Sequence, residues 1–293
     1  MRREGYPRWK RVMWMFLGGF LVFLVGKAMI PDFLEAAKDG VAIVRVEGPI
    51  LDSHQTVEEL KSFGTDPLIK AIVVRIDSPG GGVAPSQEIY NAVKRIRKEQ
   101  NKAVVASMGT VAASGGYYIA VATDRILANP GTLTGSIGVI MQLANFQELM
   151  EKIGVKNIVV KSGKFKDVGS PFRSMRDEER ELLKSVMDDV HRQFIEAVAD
   201  GRSLDASEVE QFADGRVFTG QQAKSILLVD DLGDLQDAIK LAGELGGIEG
   251  EPRIVETAEP FSFRDFLESK LFGRVGSLNV LPFWTPLLYL WVA

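Results

Sequence analysis

One serine in the chain has surroundings suited to nucleophilic chemistry. Ser114 lies in Met108-Gly109-Thr110-Val111-Ala112-Ala113-Ser114-Gly115-Gly116-Tyr117-Tyr118, where small residues on both sides let a backbone and a substrate approach closely. A strand-to-helix turn at such a serine exposes the hydroxyl beside free helix N–H groups, which favour a developing oxyanion. The same residues also describe a helix N-cap serine followed by packing glycines, and both readings stand at this point. The second candidate is Gly80-Gly81-Gly82, with Gly81 33 residues before Ser114. It is either a tight turn or a set of backbone N–H groups presented to a carbonyl oxygen. Adjacent parallel strands would put both loops on one sheet edge. The chain has no G-x-G-x-x-G after a strand and no G-x-x-x-x-G-K phosphate loop.

A nucleophilic serine needs a base, and the chain offers few. Ala112-Ala113-Ser114-Gly115-Gly116 departs from the G-x-S-x-G elbow only at its first residue, which suggests a serine–histidine–acid hydrolase. His191 is the only histidine downstream. It falls within a helical pattern beside Asp188, Asp189 and Arg192, where a solvated surface histidine is expected. His54, the other histidine, precedes the sheet and has no evident partner. Lys161-Ser162-Gly163-Lys164-Phe165-Lys166-Asp167 supplies three lysines after a strand-like run, Ile158 to Val160. A lysine acts as a base only when its pKa falls from about 10.4 towards about 7–8, a shift worth about 4 kcal/mol. Desolvation or a nearby cation must supply that shift; otherwise these are three solvated loop lysines. With no cysteine and two histidines, thiolate zinc, iron–sulfur and histidine-rich metal sites are not expected, and no cofactor is called for.

The elements that must position these groups follow from periodicity. Val41 to Val46 and Ile69 to Ile76 read as strands, the second apolar enough to be buried on both faces. The loop Asp77 to Gly82 leads to a helix from about Pro85 to Arg97, with Ile89, Val93 and Ile96 at helical spacing. Ala103 to Ser107 returns as a strand, a helix begins near Ser114, and Arg125 to Ala128 is a further short strand. Such alternation signals an α/β fold, a parallel sheet with covering helices. Asp177 to Ala199 is the longest helix, with Leu182, Val186, Val190 and Phe194 as its apolar stripe, Ser174 as cap and Gly201 as stop. Two shorter helices flank the turn at Asp214-Gly215-Arg216.

Val12 to Gly26 carries no charge, and Ile30 completes nineteen residues interrupted only by Lys27. At 1.5 Å per residue that is about 28 Å, close to the hydrocarbon thickness of a bilayer. Residues 12–30 are therefore read as one transmembrane helix, contacting membrane lipid. The arm 1–11 has five basic residues against Glu4, which predicts a cytoplasmic N-terminus and an extracytoplasmic remainder. The net charge of −4 leaves −8 for everything after that arm, the wrong sign for a nucleic-acid partner. Residues 31–247 form the candidate catalytic domain. Residues 248–293 form a tail whose hydrophobic end, Val280 to Ala293, contains Pro282 and Pro286 and suits a membrane surface or a partner subunit better than a spanning helix.

Taken together, R-I-D-S-P-G-G-G (75–82), M-G-T-V-A-A-S-G-G-Y-Y (108–118), T-L-T-G-S-I-G-V (132–139) and S-G-K-F-K-D-V-G-S-P (162–171) resemble the signal peptide peptidase A family. The resemblance spans about Val41 to Gly247 in the short, single-copy form. It implies a Clp-protease/crotonase-like fold and an ATP-independent serine peptidase of the bacterial inner membrane that works with a Ser–Lys dyad. Carried over by position, Ser114 is the nucleophile, Lys166 the general base, Gly81 with Gly115 the oxyanion hole, and Ser136 the residue that orients the lysine. The family further implies a ring-like homo-oligomer, an octamer, acting on signal peptides left in the membrane. In its tandem-duplicated members serine and lysine come from different repeats, so here two subunits are expected to share the dyad. A crotonase-like acyl-CoA enzyme and a non-catalytic membrane scaffold are the readings from other classes.

Overall fold

A computed structural model describes residues 38–257 and 288–290. The basic arm and the anchor expected over 1–30 lie outside these residues, as does most of the hydrophobic end. Among the described residues no helix is long and apolar enough to cross a membrane. In chain order the elements are β1 (Gly40–Glu47), α1 (His54–Thr65), β2 (Ile69–Ser78), β3 (Gly80–Gly82), α2 (Val83–Glu99), β4 (Ala103–Ala113), α3 (Gly115–Ala120), β5 (Arg125–Ala128), β6 (Leu133–Gly135), α4 (Gln147–Lys152), α5 (Asp177–Arg202), α6 (Ala206–Glu210), β7 (Val217–Thr219), α7 (Gly220–Ser225), β8 (Asp231–Leu232), α8 (Leu235–Leu245), β9 (Arg253–Glu256) and β10 (Leu288–Leu290).

The main sheet runs β7-β6-β4-β2-β1-β9, with β5 attached to β4 and β8 to β5. Every pairing in it is parallel except β6 with β7. Alternation along the strands sorts their side chains between two layers. Ala42, Val44, Val46, Ile72, Val74 and Ile76 pack with Leu60, Ile89, Val93, Ile96 and Phe194 on the side of α1, α2 and α5. Val41, Ile43, Ala71, Val73 and Val105 pack with Ala238, Ile239 and Ala242 of α8 on the other. β2 is thus covered on both faces, which is why its sequence is apolar without alternation. β9 shows that the chain beyond Gly247, which offers little sequence pattern, still contributes an edge strand beside β1.

β4 forks. Its first half, Val105–Met108, pairs with β5, and its last three residues pair with β6. Between these halves its register against β2 jumps: Ile76 faces Met108, whereas Ser78 faces Ala112. The two extra residues form a bulge around Gly109–Val111. The Asp77 carboxylate fills it, accepting from the Val111 N–H at 3.1 Å. A Cβ at Gly109 would lie 2.7 Å from Asp77 Oδ2, so the bulge requires glycine there. The strand expected to stop at Ser107 therefore continues to Ala113 and delivers Ser114 directly to α3.

Four local expectations need correction. Arg176, not Ser174, sits at the N-cap position of α5, with the Glu179 side chain accepting from its backbone N–H at 3.0 Å. Gly201 does not stop that helix, which runs to Arg202 and ends on left-handed Ser203. Glycine serves close packing instead, since a Cβ at 201 would sit 2.1 Å from the Val121 carbonyl. Ile158–Val160 forms no strand; Ile158 is 85% and Val160 96% exposed. The α5 stripe divides as well: Val190 and Phe194 are buried, while Leu182 and Val186 face solvent.

Candidate active site

Ser114 occupies the turn between β4 and α3 with φ 54° and ψ −115°. That left-handed φ is costly for a residue with a Cβ, on the order of 1–3 kcal/mol. Neighbours hold it there. Its N–H donates to the Gly135 carbonyl at 2.8 Å and its carbonyl accepts from the Tyr118 N–H at 2.8 Å. Tyr117 pins α3 from behind, its hydroxyl donating to the Leu228 carbonyl at 2.8 Å. Burial pushes the Tyr117 phenol well above its ordinary pKa, so it stays a neutral donor. Tyr118 packs between the rings of Tyr90 and Phe194. In this rigid setting Ser114 Oγ is buried and has no hydrogen-bond partner among the described residues. A buried hydroxyl left unpaired is uncommon and calls for an explanation; no side-chain cap of α3 supplies one.

The two glycines proposed for an oxyanion hole come together. Ile50 wedges against the short strand β3: its N–H donates to the Gly80 carbonyl at 2.9 Å, and its carbonyl accepts from the Gly82 N–H at 2.7 Å. A Cβ at Gly81 would lie 2.1 Å from the Ile50 carbonyl oxygen, so only glycine fits. On the other side, a Cβ at Gly115 would meet Ser86 Oγ at 2.5 Å and the Gly81 nitrogen at 3.2 Å. Gly115 is the first residue of α3, where helix N–H groups have no partner within the helix. Ser78 Oγ braces the turn, donating to the Gly48 carbonyl at 2.6 Å and accepting from the Gly80 N–H at 3.0 Å. This geometry presents backbone donors beside a hydroxyl at the end of a parallel sheet, a layout suited to acyl transfer.

Ser136 lies one strand away, since Ala113 of β4 faces Gly135 of β6. It repeats the geometry of Ser114, following a strand end with φ 51°. Its N–H donates to the Arg216 carbonyl at 2.8 Å.

The lysines behave differently from the serine. Lys161 pairs with Asp167 and Lys164 with Glu178. Lys166 is exposed, and no ion pair or side-chain hydrogen bond engages it among the described residues. Its loop is clamped from the far side. Arg173 donates to Asp167 Oδ2 at 2.9 Å and to both oxygens of buried Glu179, at 2.5 and 2.8 Å. Arg173 and then Lys161 hold the Asp167 carboxyl well below the usual range, and Arg173 does the same for Glu179 against the opposing effect of burial. No hydrogen bond joins Lys166 to Ser114 in one chain. His191 is half-buried rather than solvated, its Nε2 enclosed without a partner, and it makes no bond to Ser114 either.

The structure thus gathers Ser114, Gly81, Gly115 and Ser136 at one sheet edge and leaves Lys166 on an exposed loop. Sequence reasoning did not identify Ile50, Ser78 and Asp77, which shape that edge, nor the Asp167–Arg173–Glu179 clamp. The acidic first turn of α5 was the one visible hint of the clamp.

Comparison with known proteins shows the family. The profile of peptidase family S49 matches residues 96–249, and that of Clp protease matches residues 42–132. A candidate protease of Synechocystis sp. is 43% identical over 239 residues, covering 79% of this chain and 83% of the relative. A candidate signal peptide peptidase SppA of Enterococcus faecium is 38% identical, over 64% of this chain and 54% of its own length. Protease 4 of Salmonella typhi is 34% identical over 71% of this chain, which spans 35% of that longer protein. By the extent of the profile match and by these identities, the chain belongs to peptidase family S49, together with signal peptide peptidase SppA and protease 4.

Proposed function

We propose that this peptidase is a membrane-anchored serine endopeptidase whose Ser114–Lys166 dyad forms between two copies of the chain. The observation that carries the reading is the buried, unpaired Ser114 hydroxyl beside Gly81 and Gly115, set against an unpaired Lys166 on an exposed loop. Neutral Lys166 Nζ takes the Ser114 proton as Oγ bonds to the scissile carbonyl carbon. The carbonyl oxygen becomes an oxyanion held by the Gly81 and Gly115 N–H groups. Collapse breaks the C–N bond, and the lysine ammonium gives its proton to the departing amine. Water, deprotonated by the same lysine, then bonds to the acyl carbon; the bond to Oγ breaks and the ammonium returns its proton to Ser114. Ser136, level with Ser114 on the next strand, orients the ammonium. The apolar span 12–30 places this site beside a bilayer, which suits signal peptides remaining after secretion as substrates, with a ring of eight subunits supplying the paired interfaces.

Digestion of a defined signal peptide by the full chain tests the reading, with fluorophosphonate labelling of Ser114 read alongside. Both signals should vanish in Ser114→Ala, and cleavage should vanish in Lys166→Ala. Cleavage that survives Lys166→Ala but is lost in His191→Ala would favour the histidine alternative.

A further inference from the structure

Ser86 belongs to the buried stripe of α2. Ile89, Tyr90 and Val93 follow it on that face at helical spacing, yet position 86 carries a hydroxyl and is wholly buried. Its Oγ donates to the Gly82 carbonyl at 2.8 Å. A serine can satisfy itself in this way in any helix, so the bond alone says little. What lies on the other side of the oxygen says more. A Cβ on Gly115 would fall 2.5 Å from Ser86 Oγ and 3.2 Å from the Gly81 nitrogen. The hydroxyl therefore stands where a side chain of residue 115 would begin, beside both glycines assigned to the oxyanion.

In a trans peptide the N–H points opposite to the carbonyl of the same plane. The Gly80 carbonyl accepts from the Ile50 N–H, so the Gly81 N–H is aimed away from Ile50. Likewise the Ser114 carbonyl accepts from the Tyr118 N–H, so the Gly115 N–H is aimed away from the body of α3. Each donor's direction is thus fixed by its own neighbours. Their spacing is not, since no backbone hydrogen bond joins Gly81 to Gly115 among the described residues. It depends on what packs between β3 and α3. Ser86 Oγ is tied to Gly82 on one side and abuts Gly115 on the other. We infer that Ser86 is a positioning residue, a spacer that sets the separation at which the Gly81 and Gly115 N–H groups meet one oxyanion. The contact stands by itself, and its consequence for catalysis rests on the serine peptidase reading.

Ser86→Ala in the full chain removes the oxygen and keeps a good helix former. On a defined signal peptide its kcat should fall by about ten- to a hundredfold with KM changed by less than about twofold, short of the roughly hundred- to thousandfold cost of losing a whole oxyanion donor. A peptide aldehyde, whose oxygen meets the same donors once Ser114 Oγ adds to its carbon, should bind more weakly by the same factor as kcat/KM. The pH midpoint of kcat/KM should stay put, because Lys166 is untouched. A merely structural serine would leave kcat and aldehyde affinity as they are, and that result overturns the inference. So does a lowered kcat with aldehyde affinity unchanged, or with a shifted midpoint. The contact is read without activity by melting temperatures: Gly115→Ala should destabilise the wild type more than it destabilises Ser86→Ala, and additive losses overturn the inference too. A wild-type chain that neither cleaves nor labels at Ser114 counts against the peptidase reading, while the melting cycle still decides the spacer.

Discussion

Residues 112–123, around the serine, are all buried, whereas residues 151–166, leading to the lysine, are all exposed. The first segment satisfies itself: β4, β6, Tyr117 and the aromatic pairs of Tyr118 fix Ser114 without outside help. The second carries Ile153, Val155, Ile158 and Val160 into solvent, and Leu182 and Val186 of α5 are uncovered too. Exposed apolar side chains in such number suit a surface that is covered by a partner. One segment is thus fixed within its own chain, and the other is the one that the proposed shared dyad needs a neighbouring copy to cover.

The sharpest way to break that comparison is to remove one member from each half. Ser114→Ala and Lys166→Ala should each lower kcat/KM by about a thousandfold or more, with an unchanged melting temperature. Lys161→Ala and Lys164→Ala should retain most activity. Co-expressing the two inactive chains should restore a minor fraction of wild-type cleavage, because some interfaces would join an intact serine to an intact lysine. Mixed oligomers without activity would put the whole dyad inside one chain.

Stability should divide along the same line. Phe194→Ala, in the serine half, removes a fully buried ring and should cost about 3–5 kcal/mol in denaturant unfolding. Ile158→Asp, in the lysine half, should change that by less than about 0.5 kcal/mol in the monomer, since the side chain touches little. It should instead reduce oligomer mass in sedimentation, and activity with it. A monomer as destabilised by Ile158→Asp as by Phe194→Ala would mean the exposed segment folds back on its own chain.

The smallest expected effect concerns acid. Arg173 depresses the folded pKa of both Asp167 and Glu179. For groups lowered in this way the stabilisation is fully present above their unfolded values, about 4, and is lost as pH falls through the folded ones. Proteolysis within 161–173 should therefore quicken below about pH 4 while cleavage in the sheet does not. Arg173→Ala should show the quickened rate already at pH 6. Equal acid sensitivity in both regions would show that the clamp is not what fixes the lysine loop.

The serine half was legible in the sequence for the reason that it is self-contained. Apolar runs at β2 and β4, glycines at 81 and 115, and the small residues before Ser114 each answer to constraints within a few residues or one strand away. The reading faltered where partners are distant. Ile158–Val160 has the composition of a strand, but no neighbouring strand is there to pair with it. Ser174 looked like a cap because the choice between it and Arg176 depends on Glu179 and Arg173 closing a network across the turn. β9 and β10 were illegible: each is a few residues long and takes its register from strands some two hundred residues earlier.

The fork in β4 has a mechanical consequence. Val105–Met108 is clamped between β2 and β5, while Val111–Ala113 lies between Ser78 and β6, with a two-residue slack at Gly109–Val111 separating them. The two arms of one strand are thus tied to different partners across the bulge. A substitution that loosens the outer arm should therefore leave the inner arm paired, and amide exchange along Val111–Ala113 should respond to it separately from exchange along Val105–Met108.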